Sequence, residues 1–254
     1  MRIATLKEKL HNNGLSIGSW ITLAHPAIAE IMAKAGFDWL AVDLEHSVIT
    51  IREAEELIRV IDLCGAVPLV RLSTNDSVQI KRVMDAGAYG IIVPMVNSAA
   101  EAERAVAAVR YPPQGKRGVG LARAQGYGNT FEAYKDWLSH EAIVIVQIEH
   151  IQAVENLVAI LSVEGVDGFI VGPYDLSGSL GVPGDFEHPL MQKTMATIKS
   201  VGLTSGKATG IHIIEPDVTQ LQQRIKENYQ FIAYSVDIRM LDVTCRTAIM
   251  SIHS

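Results

Sequence analysis

The sequence is poor in cysteine, basic charge and long apolar runs. Its two cysteines, Cys64 and Cys245, lie far apart, and no apolar stretch approaches the roughly 20 residues of a membrane span. The charged start shows no secretory segment, so we expect a cytoplasmic protein with no membrane partner. A net charge of -6 provides no broad basic surface. Nucleic acid is therefore not an expected partner, and an anionic ligand would need local cations or a metal.

The size and the apolar content favour one compact unit. The chain has 254 residues, of which 48% are hydrophobic and 20% charged, and α/β barrels commonly reach about 250 residues as one domain. No linker or low-complexity tract interrupts it. We therefore expect a single domain over residues 1–254.

Apolar strands and amphipathic helices alternate along the sequence, a pattern typical of βαβ units. A doubly wound sheet would need a Gly-x-Gly-x-x-Gly turn after its first strand, and residues 20–26 offer none. We therefore predict a (β/α)8 TIM barrel with a C-terminal helical extension. The clearest predicted helices span residues 51–63 and 99–110, and residues 111–130 form a long loop. The predicted strands span residues 16–22, 39–43, 67–71, 90–94, 143–148, 168–171, 210–214 and 231–235.

Two acidic residues lie just past short, wholly apolar runs that read as buried strands. The run before Glu149 is residues 142–146, and the run before Asp175 is residues 168–171. Each could simply cap the next helix. Because the carboxyl ends of parallel strands share one face, the pair also predicts a divalent-metal site. Oxygen-only ligands favour Mg²⁺ or Mn²⁺ over structural zinc.

Other titratable residues fall at the same predicted barrel mouth. His46 follows the second strand and is either a packed histidine or a general base, with Asp43, Glu45 and Asp85 as candidate acidic partners. Arg71 ends the third strand, where it could hold a carboxylate, stabilise developing negative charge or form a surface salt bridge.

No predicted strand carries a lysine near its carboxyl end. Lys207 precedes its strand and would lie on the wrong face of the barrel. This argues against a Schiff-base mechanism, which needs a lysine inside the mouth. His25 and His212 lack charged neighbours in the sequence, and we expect structural roles for both.

Seven segments together resemble the HpcH/HpaI aldolases, in order and over nearly the whole chain. The resemblance implies a homohexameric (β/α)8 barrel. It also implies an enzyme that cleaves a 4-hydroxy-2-oxo acid to pyruvate and an aldehyde through a metal-stabilised enolate. The segments are residues 37–46, 70–71, 85–88, 92–95, 117–120, 147–149 and 171–181.

The resemblance also assigns roles to individual residues. Glu149 and Asp175 would bind Mg²⁺ or Mn²⁺, with Co²⁺ as a further option, and Gln147 would contact the substrate or a metal-bound water. His46 would be the base. The other implied roles are Asp85 as the carboxylate that raises the basicity of His46, Arg71 as the transition-state stabiliser, and the peptide N–H groups of Tyr174 and Asp175 as ligands of the pyruvate carboxylate.

Tyr174 departs from the small residue of the best-known family members, so it could reshape the aldehyde pocket. Two alternative functions use the same residues. One is oxaloacetate decarboxylation or a related carbon–carbon lyase reaction, which needs no aldehyde pocket. The other is a non-catalytic barrel that binds a carboxylate metabolite, which would have no need of a base. The apolar tail from about Arg239 could pack on the barrel or on a neighbouring subunit.

Overall fold

A computed structural model describes residues 5–253 and shows a closed barrel of eight parallel strands. Neighbouring strands pair in sequence order, and β8 pairs with β1 to close the ring. The predicted TIM-barrel architecture is confirmed. The strands are β1 (Ser16–Ile21), β2 (Trp39–Asp43), β3 (Val67–Arg71), β4 (Gly90–Val93), β5 (Ile143–Ile148), β6 (Gly168–Val171), β7 (Ala208–Ile213) and β8 (Phe231–Val236).

Helices connect the strands and surround the barrel. A short 3-10 segment, Arg123–Gly128, lies in the long loop before α6. The helices are α1 (Leu6–His11), α2 (Pro26–Lys34), α3 (Ile51–Leu63), α4 (Ser77–Ala86), α5 (Ala99–Val109), α6 (Phe131–His140), α7 (Ile151–Glu155), α8 (Leu157–Leu161), α9 (Pro173–Ser179), α10 (Pro189–Ser205), α11 (Val218–Lys226) and α12 (Asp237–His253).

Four of the eight predicted strands match at both ends, because uninterrupted apolar runs mark strands covered on both faces. The other four strands differ by one or two residues at one or both ends. β7 begins at Ala208 rather than at residue 210, since Ala208 and Thr209 pair with β6. Left-handed glycines begin three of the helix-to-strand connections, with φ of 98° at Gly36, 104° at Gly87 and 92° at Gly165.

Alternate residues of each strand divide between two apolar layers. In β2, Leu40 and Val42 pack outward with the helices, whereas Trp39 and Ala41 belong to the cluster that fills the barrel lumen. Leu6 and Leu10 of α1 join the lumen cluster. The strands begin at the end of the barrel where α1 packs. The opposite end, where the strands finish, is therefore the open mouth.

Aromatic rings occupy the middle of the lumen. The rings of Trp39 and Phe231 stack with centroids 4.2 Å apart, and Trp20 meets Trp39 edge-on at 6.2 Å. Gly18 makes room for this layer, because a Cβ there would lie 2.0 Å from the Trp39 ring. The lumen is a packed core, as in other barrels of this size.

The last helix, α12, extends beyond the barrel. Asp237 at its start is buried, but the apolar side chains of Leu241, Ile249, Met250 and Ile252 are exposed. This is the predicted C-terminal helical extension. Within residues 5–253, no helix combines the length and the apolarity required to cross a bilayer.

Candidate active site

The inward-facing rows of three strands change from apolar to polar as they reach the mouth. In β2 the row Trp39, Ala41 is followed by Asp43, and in β3 Leu69 is followed by Arg71. In β5 the row Ile143, Ile145 continues to Gln147 and then to Glu149, just beyond the strand. Because strand side chains alternate with a period of two, these polar groups all face the barrel interior at the mouth.

Asp43 and Arg71 form a buried two-bond ion pair. Arg71 Nε donates to Asp43 Oδ1 at 2.8 Å and Arg71 Nη2 donates to Oδ2 at 2.6 Å. Burial acts to raise the pKa of Asp43, but the hydrogen bonds and charge of Arg71 outweigh it and lower that pKa. The Arg71 guanidinium also lies 4.3 Å from the centre of the Trp20 ring. Arg71 is thereby fixed on two sides.

Glu45 connects the groups at the mouth. Its Oε2 lies 3.4 Å from Arg71 Nη1, 3.4 Å from Gln147 Nε2 and 3.7 Å from His46 Nε2. Burial raises the pKa of Glu45 to about 7 despite the nearby charge of Arg71, and Glu149 and Asp43 add to the increase. Glu45 can therefore exchange a proton near neutral pH.

His46 lies at the outer edge of this cluster, and 60% of its side chain is exposed. Asp43 Oδ1 accepts the backbone N–H groups of Glu45 at 2.9 Å and His46 at 3.3 Å, which fixes the start of the loop. Of its three predicted acidic partners, Glu45 contacts the imidazole. An exposed ring with a nearby carboxylate is suited to proton transfer with a bound substrate.

Glu149 is buried beneath the mouth and is held by two donors. The backbone N–H of Met95 donates to Oε1 at 2.6 Å, and Gln147 Nε2 donates to Oε2. Gly172 approaches so closely that a Cβ there would lie 2.9 Å from Glu149 Oε2. Burial raises the pKa of Glu149, and the negative charge of Asp175 contributes further.

Asp175 and Tyr174 lie in the first turn of α9 and are both exposed. The Tyr174 ring meets Phe186 edge-on, with centroids 5.0 Å apart, at the rim of the mouth. The N–H groups of Tyr174 and Asp175 belong to a helical first turn, where backbone donors have no partner in the helix. They are available to a carboxylate of a ligand.

The donor set at Glu149 and Asp175 fits a hard divalent cation. Within the described part of the chain, no three His, Cys, Asp or Glu side chains converge as a closed metal site. Two carboxylates leave coordination positions for water and substrate, as Mg²⁺ and Mn²⁺ prefer. A cation here would offset the burial and the repulsion that raise the pKa of Glu149.

Asp85 is the predicted site residue that does not join the cluster. It lies in the last turn of α4, at the amino-terminal end of the barrel, and pairs with Arg117 Nη2 at 2.6 Å. The sequence could not reveal this, because the arginine lies 32 positions away in the long loop. Within one chain Asp85 does not reach His46.

Two histidines and Lys207 have structural contacts. His25 caps α2 by accepting the N–H of Ala27 at 3.2 Å. The His212 ring packs edge-on against Trp20 at 5.7 Å, and burial, followed by the charge of Arg71, lowers its pKa to about 4. Lys207 donates to the Val166 carbonyl at 2.7 Å, before β7 begins. Its position away from the mouth agrees with the argument against a Schiff base.

Three contributors to the site were missed from the sequence. Trp20, next to the last residue of β1, offered the same strand-end signal as Arg71. Met95 acts through its backbone N–H and adopts a φ of 50°, and Gly172 acts through the space it leaves. A backbone N–H group and the absence of a side chain both act without a characteristic residue type, so no sequence pattern reveals them.

Comparison with known proteins identifies the family of this chain. A profile of the HpcH/HpaI aldolase/citrate lyase family matches residues 16–242. A hydroxypyruvate/pyruvate aldolase of Roseobacter denitrificans is 39% identical over 240 residues, which cover 93% of this chain and 92% of the relative. A 2-keto-3-deoxy-L-rhamnonate aldolase of Escherichia coli K12 is 37% identical over 233 residues, covering 91% and 86%.

A crystal structure supports the same relationship. The HpcH/HpaI aldolase/citrate lyase family protein of Burkholderia cenocepacia superposes with a TM-score of 0.93 at 32% identity, covering 99% of this chain and 100% of that one. The resemblance seen in the sequence segments is thereby confirmed. The chain belongs to the HpcH/HpaI aldolase/citrate lyase family of carbon–carbon lyases.

Proposed function

We propose that this protein is a metal-dependent aldolase that cleaves a 4-hydroxy-2-oxo acid to pyruvate and an aldehyde. The observation that carries the proposal is the position of Glu45 Oε2, within 3.4 Å of Arg71 and Gln147 and 3.7 Å of His46. A base, a fixed cation and a half-buried carboxylate thus face one small volume. The aldolase names of the relatives support the same reaction.

Glu149 and Asp175 would hold Mg²⁺ or Mn²⁺ in this proposal. When bound, the cation supplies a Lewis acid that polarises the 2-oxo group of the substrate. Gln147 keeps the Glu149 carboxylate in place through its amide hydrogen bond. The N–H groups of Tyr174 and Asp175 bind the substrate carboxylate at the start of α9.

His46 takes the proton from the C4 hydroxyl as the C3–C4 bond breaks and the aldehyde leaves. The electron pair of that bond stays on the pyruvate half, where a proton later replaces the lost carbon. Arg71 faces this half through Nη1, because Nε and Nη2 are bound by Asp43. Glu45, whose pKa is about 7, stabilises the protonated imidazole and relays protons to it.

The aldehyde half of the substrate would meet the rim formed by Tyr174 and Phe186. The Tyr174 side chain is 56% exposed, so its hydroxyl can hydrogen-bond to a polyhydroxylated aldehyde. We propose a short, hydroxylated aldehyde for this reason. A panel of aldehydes in the synthesis direction with pyruvate would rank the candidates.

We further propose that the protein assembles as a homo-oligomer, a hexamer by family resemblance, through α12. Leu241, Ile249, Met250 and Ile252 expose an apolar face, which a second copy would remove from water. Asp85 can serve the predicted role at His46 when it comes from another copy. The Arg117 pair would then hold the Asp85 carboxylate ready for that contact.

The decisive experiment measures pyruvate release from a 4-hydroxy-2-oxo acid before and after treatment with EDTA. We expect complete loss of activity and recovery with Mg²⁺ or Mn²⁺, and full activity of the metal-free protein would refute the proposal. Oxaloacetate decarboxylation, measured in parallel, tests the alternative lyase reaction. His46→Ala should lower aldol cleavage strongly, whereas His188→Asn should not, because asparagine preserves that helix cap.

A further inference from the structure

A second cleft lies at the amino-terminal end of the barrel, far from the proposed aldolase mouth. It has a volume of about 1100 Å³ and is lined by α1, the end of α5, α6 and the turns before β6 and β7. The packed aromatic layer of Trp20, Trp39 and Phe231 separates it from the mouth. The proposed reaction makes no use of this cleft.

Arg110 lies on the wall of this cleft as a buried cation without a carboxylate partner. Arg110 is 8% exposed, and its Nη2 donates to the Ala142 carbonyl at 3.1 Å. Among residues 5–253, Nη1 has no acceptor, and no carboxylate lies within ion-pair distance of the guanidinium. A buried charge is costly unless an opposite charge and hydrogen bonds compensate it.

Two further cations, Lys7 and Lys207, share this wall with one carboxylate. Lys7, which is 8% exposed, donates to the Ala142 carbonyl at 2.7 Å and lies 3.1 Å from Asp167. Lys207 Nζ binds a backbone carbonyl, that of Val166. Asp167 is already engaged, since it also accepts from Val144 N–H and contacts His11.

Among residues 5–253, no acidic residue at the rim forms an ion pair with a cation of this wall. Glu132 pairs instead with Lys135 at 2.5 Å, and Asp136 lies 3.4 Å from His140. Asp136 and Glu164 therefore remain as two rim carboxylates, whereas Arg110, Lys7 and Lys207 share the single carboxylate of Asp167 inside. Burial lowers the pKa of Lys7 and of Arg110, and the opposing charge of Asp167 is too weak to restore either value.

We propose that this cleft binds a small metabolite through a phosphate or carboxylate group held by Arg110, Lys7 and Lys207. A phosphate or carboxylate group accepts hydrogen bonds from several N–H donors at once, and guanidinium groups bind both kinds of anion. The cleft volume exceeds what a single phosphate fills, so the ligand carries further atoms toward the rim. A metabolite bound at this end of the barrel would leave the mouth open to the substrate.

Calorimetric titration of the full-length protein with inorganic phosphate and, separately, with acetate tests this proposal. The two probes distinguish a phosphate from a carboxylate ligand, and acetate lacks the 2-oxo group of the proposed substrate. Ionic strength is held constant, because exposed charges are screened by salt. We expect Arg110→Met to weaken binding at least about tenfold and Lys207→Met about threefold, since each removes a charge-assisted hydrogen bond.

Arg104→Met is the matched control, because Arg104 is an exposed arginine of α5, the helix that ends just before Arg110, and does not line the cleft. It should bind the probes as the natural protein does. If Arg110→Met does not fold, Lys207→Met decides the question, since Lys207 has no carboxylate partner to lose among the described residues. The proposal is overturned if neither probe binds at millimolar concentration, or if both cleft variants bind as tightly as Arg104→Met.

Discussion

Asp43 and Arg71 are register partners on adjacent strands, and their side chains form a two-bond ion pair at the mouth. The pair fixes one edge of the guanidinium and leaves Nη1 facing Glu45. A charge held this way is already oriented before the substrate arrives, which is how electrostatic stabilisation becomes effective.

Asp43→Asn should therefore impair both catalysis and folding. We expect kcat/KM to fall about 100-fold, because a small displacement of a positioned group costs that much. The free energy of unfolding should fall by about 3 kcal/mol, since Arg71 would remain buried without its partner. Steady-state kinetics and urea unfolding provide both values. Asp185→Asn, an exposed change, is the control; equal behaviour of the two variants would contradict the role of the pair.

Glu45 should make the stability of the metal-free protein dependent on pH. Its pKa rises from 4.5 to about 7 on folding, so the fold favours the protonated acid. The stabilisation is present below pH 4.5 and is lost as the pH rises through about 7. After allowance for solvent screening we expect a loss of about 1–2 kcal/mol over this range.

Urea unfolding in EDTA at stepped pH measures this loss. Glu45→Gln should show a flatter profile than the natural protein between pH 4.5 and 7. The exposed change Glu56→Gln should leave the slope intact. Parallel profiles for the natural protein and Glu45→Gln would show that Glu45 titrates normally.

Metal affinity should depend on both proposed ligands. We expect Glu149→Gln to raise the Kd for Mn²⁺ about 100-fold and Asp175→Asn at least about tenfold, because each removes a charged oxygen ligand. Electron paramagnetic resonance of free Mn²⁺ measures this without reference to activity. Glu155→Gln, an exposed change on α7, should bind Mn²⁺ normally. Unchanged affinity in Glu149→Gln would place the metal elsewhere.

Gly172→Ala should disturb Glu149 without preventing folding. Its φ of -94° is open to alanine, but the added Cβ would lie 2.9 Å from Glu149 Oε2 and 3.2 Å from its Cβ. We expect Mn²⁺ affinity to fall about tenfold as the carboxylate moves. Gly178→Ala, where a Cβ meets open space, is the control in the same helix. Identical affinities would mean that the close approach at Gly172 is without consequence.

The proposed assembly should depend on the apolar face of α12. The double change Ile249→Glu with Ile252→Glu places charges on that face and should reduce the mass measured by light scattering. Thr247→Glu, also exposed on α12, should leave the mass unchanged. A natural protein of monomeric mass would contradict the assembly proposal directly.

The strands were predictable from the sequence because each is rich in apolar residues, and their carboxyl ends identified Arg71, Gln147 and Glu149 as mouth residues. The period of two along β5 is enough to direct both Gln147 and Glu149 inward. The helix-ending glycines Gly36 and Gly87 obey a local rule too, because their positive φ favours a residue without a side chain.

Pairing between distant residues was not predictable. Asp43 was a candidate partner of His46. The strand register instead places the Asp43 carboxylate against Arg71, and Glu45 lies beside the imidazole of His46. Asp85 pairs with Arg117 because the end of α4 and the beginning of the long loop both lie at the amino-terminal end of the barrel. These choices depend on rotamers and loop paths, which one sequence does not specify.

The aromatic layer inside the barrel also bears on product inhibition. Trp20, Trp39 and Phe231 close the axial route through the described part of the barrel, so reactants that enter at the mouth also depart there. In the proposed reaction, pyruvate would be retained deeper than the aldehyde, which would leave first. Free pyruvate would then compete with the incoming substrate for binding at the same mouth.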